Sequence, residues 1–191
     1  MKHLIVYSHP NPASFNHKIK EKYIETLMSK GHEIIVRDLY AMNFNPVLSS
    51  QDFVGLRAKN LPEDIKREQE YIKWADVITF IYPIWWTGMP ALIKGYVDRI
   101  FLNGFAYAVN QNGTIKLLTD KKAVVLSTHG QPKSVYEGEY YNALETTFDK
   151  GIMNFCGIEV INHTYFPSVR TANEETIKEY LNTVKEIALK F

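Results

Sequence analysis

The chain has 191 residues, 46% of them hydrophobic, which is enough for one globular domain with a substantial core. Its 22 Lys and Arg nearly balance 21 Asp and Glu, so no strong field favours a polyanionic partner such as nucleic acid, and any phosphate must be met by local groups. The single Cys156 excludes an internal disulfide framework and an all-cysteine metal cluster, and His, Cys, Asp and Glu do not cluster at metal-ligand spacing, so no metal site is expected.

The first apolar run, LIVYS at 4–8, has strand length. No signal-peptide core of the usual length lies within residues 1–30, and one cysteine fits a reducing compartment, so a cytoplasmic protein is expected. Next comes a helical pattern with Ile19, Tyr23, Ile24, Leu27 and Met28 on one face and Gly31 as its stop. IIV at 34–36 is a second strand, and residues 38–62 form a long connection with room for a short helix. VITFIY at 77–82 is the third strand. The uncharged stretch Val77 to Ile93 reaches the lower limit for a membrane helix, but Pro83, Gly88 and Pro90 interrupt it, so no span is expected.

After Pro90, which suits a first helical turn, Leu92, Ile93, Tyr96, Val97 and Ile100 repeat the helical spacing. AVVLST at 123–128 and EVINHTYF at 159–166 complete five strands. TANE, Thr171 to Glu174, reads as a capping box before Ile177, Tyr180, Leu181, Val184 and Ile187. Three of the strand runs show little alternation, as strands buried on both faces do, and strands alternate with helices. The expected fold is therefore a single α/β domain over 1–191, a three-layer doubly wound domain whose five-stranded parallel sheet has the flavodoxin-like order 2-1-3-4-5. Ligands of such sheets lie beyond the carboxyl ends of the strands, at the switch between strands one and three, so the ends of runs one, three and four should carry the chemistry.

SHPNPASFNHKIK, residues 8–20, contains neither GxGxxG nor GxxxxGK[ST]. Ser8, Ser14 and Asn16 are hydroxyl or amide donors, His9 can be a cationic one, and the free amides of a helix starting near Asn16 point to the same place, which suits a monophosphate. Simple capping by Ser14 or Asn16 is the alternative. After strand three, Trp85 and Trp86 must point in different directions, so one faces a cleft; Pro83 and Pro90 stiffen the loop and Gly88 lets it turn. This makes an aromatic shelf for a flat heteroaromatic ring joined to a phosphate, with packing or a subunit interface as the alternative. In STHGQPKSVYEGEYY, residues 127–141, the Ser127 and Thr128 hydroxyls, the His129 imidazole and the amides around Gly130 share one sheet edge, while Tyr136, Tyr140 and Tyr141 are singly ambiguous.

Together these segments resemble the NAD(P)H:quinone oxidoreductase family of flavodoxin-like flavoproteins, the DT-diaphorase type, with its small bacterial members and the ancillary oxidoreductases of potassium-efflux systems. The resemblance runs through HLIVYSHPNPASFN, DLYAMNFNPVLS, YPIWWTGMPALIKGYVDRIF, GFAY, STHG and NFCGIEV, covers most of residues 1–166, and is most specific from Tyr82 to Phe101. It implies that His9, Ser14, Phe15 and Asn16 hold a flavin phosphate, that Pro83, Ile84, Trp85 and Trp86 form the wall and edge contacts of the isoalloxazine, and that Thr128, His129, Gly130 and Gln131 lie around its other rim. By the same resemblance Tyr107 corresponds to a gating tyrosine that reaches the partner's flavin in dimeric members, Phe155 lines the same pocket, and Cys156 is a structural neighbour. The family usually has glycine where His129 stands. Tyr136 falls near a family tyrosine that assists charge stabilisation at the flavin, whose histidine partner has no clear counterpart in this chain, Tyr140 lying nearby instead; Tyr136 and His129 are the candidate catalytic side chains.

The implied activity is two-electron, ping-pong hydride transfer from NADPH or NADH through the flavin to quinones, azo dyes or nitroaromatics. FMN is favoured by the one compact phosphate site, FAD being the alternative, and a homodimer with active sites at its interface is implied. A second reading is a flavin-binding regulatory subunit docked on a potassium-efflux membrane protein. A one-electron carrier is disfavoured by the near-neutral charge, since such carriers steer partners with a strong acidic field.

Overall fold

In a computed structural model covering residues 1–191, the apolar runs become β1 (Lys2–Tyr7), β2 (Glu33–Asp38), β3 (Val77–Pro83), β6 (Lys122–Thr128) and β7 (Glu159–Phe166). They pair in parallel in the order β2-β1-β3-β6-β7, which is 2-1-3-4-5 when the five are numbered among themselves. The near-continuous apolar character of β1, β3 and β6 has a direct cause in the two cores. Leu4, Val6, Ile78, Phe80 and Val125 meet Ile65, Ile72, Ile93 and Tyr96 on one face, whereas Ile5, Tyr7, Ile81, Val124 and Leu126 meet Ile19, Tyr23, Leu27, Val184 and Ile187 on the other.

The covering helices are α1 (Phe15–Ser29) and α7 (Glu174–Ala188) on one side, α3 (Glu63–Trp74) and α4 (Ala91–Ile100) on the other. Met28 departs from the expected apolar face: the buried stripe of α1 is Ile19, Tyr23 and Leu27, and Met28 lies outside it, 65% exposed. The cap of α7 also moves. Asn173 Oδ1 accepts from the Thr176 amide at 2.9 Å, while the Thr171 hydroxyl is taken up by the Ser168 carbonyl at 3.3 Å, so the helix starts two residues later than a Thr171 box would place it. No helix is long and apolar enough to cross a membrane.

The long connection contains α2 (Ser50–Arg57), opened by a capping box of Ser49 and Asp52. It is fastened to α4 by Arg99, whose Nε and Nη2 each donate to Asp52 at 3.1 Å and whose Nη1 donates to Asp64 at 2.6 Å and to the Asn45 carbonyl at 3.1 Å. Both Arg99 and Asp52 are buried, so each charge depends on the other for compensation. Three features went unforeseen: the antiparallel hairpin of β4 (Tyr107–Asn110) and β5 (Gly113–Lys116), the short helices α5 (Lys133–Tyr136) and α6 (Glu139–Glu145), and the π-helical stretch Thr146–Asn154 that continues α6.

At the amino end of the sheet, His3 is wholly buried, edge-on to His32 and Phe191 at 4.9 Å, with no partner for either ring nitrogen. Burial, then His32 and the N-terminal amine, push its pKa down to about 4, against an opposing pull from Asp76. Because the folded pKa lies below the unfolded one, the stabilisation from the neutral ring is complete above the unfolded value and is lost as pH falls through the folded value. The loss amounts to about 3 kcal/mol at most. Urea unfolding from neutral pH to about pH 4.5 should therefore show a decline that is shallower in His3→Leu, and an unchanged decline in that variant would refute the assignment.

Candidate active site

The loops after β1, β3, β6 and β7 enclose a cleft of about 480 Å³ lined by His9, Ser14, Phe15, Asn16, Pro83, Ile84, Trp85, Thr128, His129, Gly130, Gln131, Tyr136, Val169 and Arg170. A larger open groove of about 1010 Å³ lies between α3 and the base of the β4–β5 hairpin. It reaches Lys73 and Lys121 at the amino ends of β3 and β6, the end of the sheet opposite to that where ligands of doubly wound folds bind.

Ser14 caps α1, its hydroxyl accepting from the His17 amide at 3.2 Å, so the capping alternative holds for this residue while its oxygen still lines the cleft. The Phe15 and Asn16 amides have no acceptor, as expected of a first helical turn. Asn16, almost fully buried, donates from Nδ2 to Thr128 Oγ1 at 2.7 Å and leaves Oδ1 without a partner. That bond ties the end of β1 to the end of β6, 112 residues apart in the chain. His9 Nδ1 accepts from the Asn11 amide at 3.0 Å; burial lowers its pKa, opposed by the Asn11 backbone, so the ring is held toward its neutral form.

The tryptophan loop is a tight turn. Trp85 and Gly88 exchange backbone hydrogen bonds of 3.0 and 3.1 Å, and the two residues between them, Trp86 and Thr87, take φ of 53° and 51°. Two positive φ values in succession are the signature of a turn that a glycine-containing pair would adopt more cheaply, so this loop stores strain. Its result is to split the tryptophan pair. Trp85 lies over the cleft, 41% exposed and 6.2 Å from the His9 ring, whereas Trp86 is fully exposed and is not among the lining residues. Of the four residues expected to make the wall and edge contacts, Pro83, Ile84 and Trp85 line this cleft, and Trp86, fully exposed on the turn, does not.

On the opposite rim His129 is buried between elements. Its amide donates to the Phe166 carbonyl at 3.0 Å, its ring stacks on Tyr136 at 4.1 Å and 24°, and Nε2 lies 2.8 Å from the Tyr141 hydroxyl. Nδ1 has no partner. Burial lowers the imidazole pKa, with the Gln131 backbone opposing, and burial likewise pushes the Tyr141 phenol up to about 12, so this pair is neutral near pH 7. Tyr141 was singly ambiguous in the sequence, and only its position against His129 identifies it. The Gly130 and Gln131 amides carry no acceptor and line the cleft.

Tyr107 and Phe155 contact each other, ring centroids 5.0 Å apart, but neither lines the cleft. Cys156, next to Phe155 in sequence, is buried, and burial pushes its thiol up to about 11, which makes it unreactive. Val169 and Arg170 were missed, because the sequence reading placed chemistry after the first, third and fourth strands and left out the loop after the fifth.

The residues present suit a flavin: unaccepted amides at Phe15, Asn16, Gly130 and Gln131, orphaned polar atoms on Asn16 and His129, and an indole, that of Trp85, lining the same cleft. Comparison with known proteins bears on the same point. A family model described as a flavodoxin-like fold matches residues 1–188. The chain is 36% identical over 180 residues to an NAD(P)H oxidoreductase of Haemophilus influenzae described as uncharacterized, covering 93% of this chain and 89% of that one. It is 34% identical over 212 aligned positions to NAD(P)H dehydrogenase (quinone) 1 of Rattus norvegicus, covering 96% and 77%. Among solved structures, the NAD(P)H:quinone oxidoreductase from Methanothermobacter marburgensis superposes with a TM-score of 0.86 at 30% identity, covering 98% and 97%.

Proposed function

Since this chain belongs to the flavodoxin-like NAD(P)H:quinone oxidoreductase family, we propose that its strand-end cleft holds FMN and that NAD(P)H and a quinone use the exposed side of the cleft in turn. The observation that carries this reading is the convergence of the loops after β1, β3 and β6 on one cleft, which Trp85 lines together with two sets of free amides. When bound, the flavin would supply the redox chemistry that links a nicotinamide donor to a quinone acceptor. The chain supplies binding and orientation.

Ser14, Phe15, Asn16 and His9 form the phosphate end, using the α1 amides and dipole. Pro83, Ile84 and Trp85 form the wall, and Thr128, Gly130 and Gln131 offer hydroxyl and amide donors to the ring's polar edge. His129 and Tyr136 are the proposed catalytic side chains: stacked together at the rim, they hold an imidazole and a phenol hydroxyl there as hydrogen-bonding groups, and the Tyr141 hydroxyl fixes the imidazole plane. The single compact phosphate end favours FMN, with FAD the alternative, and either nicotinamide dinucleotide is compatible with the open side. Azo dyes and nitroaromatics are acceptors of the same planar type.

A homodimer is part of the proposal. The cleft is open above Trp85, and the fully exposed Trp86 and the Tyr107–Phe155 pair lie outside it, so a second copy is the suitable missing wall, with Tyr107 and Phe155 serving the second copy's cleft. We also read 1–191 as one domain, built on one sheet with two cores, and place it in the cytoplasm on the strength of its lone thiol. No observation favours docking on a membrane transporter.

The test is the visible absorption spectrum of the purified protein, followed by anaerobic NADPH and chromatography of the released pigment. Flavin bands that bleach with the nucleotide are expected, and a protein that carries no flavin and takes up neither FMN nor FAD would overturn the reading. Initial rates at varied NADPH and quinone should give parallel double-reciprocal lines; intersecting lines would mean that the two substrates bind together.

A further inference from the structure

A column of rings runs from the cleft rim to β7, and the functional reading has used only its first members. Tyr141, whose hydroxyl lies 2.8 Å from His129 Nε2, stacks on Tyr165 at 4.0 Å and 17°, and Tyr165 stacks on His163 at 4.3 Å and 29°. At the far end, His163 Nδ1 lies 2.9 and 3.1 Å from the two carboxylate oxygens of Asp149. A carboxylate only accepts, so Nδ1 carries a proton and donates it. This pair is largely buried, His163 6% and Asp149 15% exposed.

The hydrogen bonds along the column show what holds each ring. His163 Nε2 and the Tyr165 hydroxyl are buried without a partner. Asp149 is therefore the one group that fixes the His163 ring by a hydrogen bond, and none orients Tyr165, which takes its plane from the rings on either side. Tyr141 is in turn the one side chain hydrogen-bonded to the His129 ring, and Tyr136 stacks on that ring at 4.1 Å. A rotation of His163 thus reaches the cleft with no other hydrogen bond on the way to oppose it.

Asp149 is delivered by the π-helical stretch Thr146–Asn154. Phe148 of that stretch packs on Phe80 and Tyr82 of β3, ring centroids 5.1 and 6.0 Å away, while Asp149, the next residue, reaches His163 of β7, two strands across the sheet. Turns of π-helix are rare and recur at functional sites.

We propose that Asp149 is a positioning residue for the cleft: through His163, Tyr165 and Tyr141 it sets the orientation of the His129 imidazole and of the Tyr136 ring stacked on it. This rests on the reading above, in which those two side chains serve the reaction. Neither Asp149 nor His163 lines the cleft, so their effect is exerted through His129. The role is geometric, an acceptor for Nδ1, and an uncharged acceptor of the same shape serves it.

The experiment has two arms, each with Asp149→Ala, Asp149→Asn, Tyr141→Phe and the double variant of Asp149→Ala with Tyr141→Phe. In flavin-free protein, the imidazole nitrogen resonances of His129 should move in Asp149→Ala and Tyr141→Phe and return toward wild type in Asp149→Asn, while those of His3, at the other end of the sheet, stay in place. In flavin-loaded protein, kcat for quinone reduction should fall about tenfold in each of Asp149→Ala and Tyr141→Phe with KM within about threefold, and Asp149→Asn should recover most of the loss. The double variant should lose about the same tenfold, because removing the Tyr141 hydroxyl already breaks the path. Losses that multiply to about a hundredfold, or a His129 that does not move in Asp149→Ala, overturn the proposal. So does a fall in stability with kcat and the His129 resonances unchanged, which would make Asp149 and His163 an ion pair of the fold only. Wild type that takes up no flavin would overturn the functional reading, and the resonances would still decide whether Asp149 orients His129.

Discussion

Gly95→Ala is expected to destabilise the protein by about 3 kcal/mol, although helix propensity alone gives the opposite sign. Gly95 is an interior residue of α4, where alanine normally stabilises by about 1 kcal/mol. Here a Cβ would lie inside van der Waals contact of the Pro46 ring and backbone, and neither the proline ring nor the carbonyl beside it can rotate away. The same connection is held by Arg99 through the Asn45 carbonyl and Asp52, so displacing Pro46 also strains a buried ion pair. Two fastenings one turn apart on α4 would be loosened together. Since α4 follows directly from the tryptophan turn, flavin retention should fall with stability. Urea unfolding and retained flavin measured on one preparation check this; a variant as stable as wild type would show that the connection shifts without cost.

Trp85→Ala is expected to weaken flavin binding about thirtyfold, equivalent to ~2 kcal/mol, while changing fold stability by less than about 1 kcal/mol. The indole is partly exposed over the cleft, so truncation removes a wall and leaves no internal cavity. Trp86→Ala is the internal control: its side chain is fully exposed, and flavin affinity should stay within about threefold. Sedimentation of both variants separates a subunit-contact effect, expected at Trp86, from a binding effect. Loss of flavin in Trp86→Ala with none in Trp85→Ala would reverse the assignment of the wall.

Much of the fold was legible because strands buried on both faces leave contiguous apolar runs. LIVYS, VITFIY and AVVLST needed no tertiary knowledge, and five such strands alternating with helices led to the observed order by the topology of crossovers. The loops after three of those strands then followed as the place of the site, and His9, Ser14, Asn16, Thr128 and Gln131 do line one cleft. The hairpin escaped notice because its strands are four residues each and largely exposed, without a buried face to produce alternation, although Asn112-Gly113 is a turn signal.

The sequence by itself determined the strand set, the helical faces of α1 and α4, and the polar and aromatic residues available at the strand ends. Tertiary structure alone decided which tryptophan faces the cleft, that Tyr141 bonds His129, that Gly95 makes room for Pro46, and that the loop after the fifth strand brings Arg170 to the site. The reason is range. Periodicity records burial within one element, whereas the cleft is made by contacts such as Asn16 to Thr128, 112 residues apart, and by a turn at Trp86 and Thr87 whose backbone is strained. Such contacts leave no local pattern, and they become visible only when the sheet has brought its strand ends together.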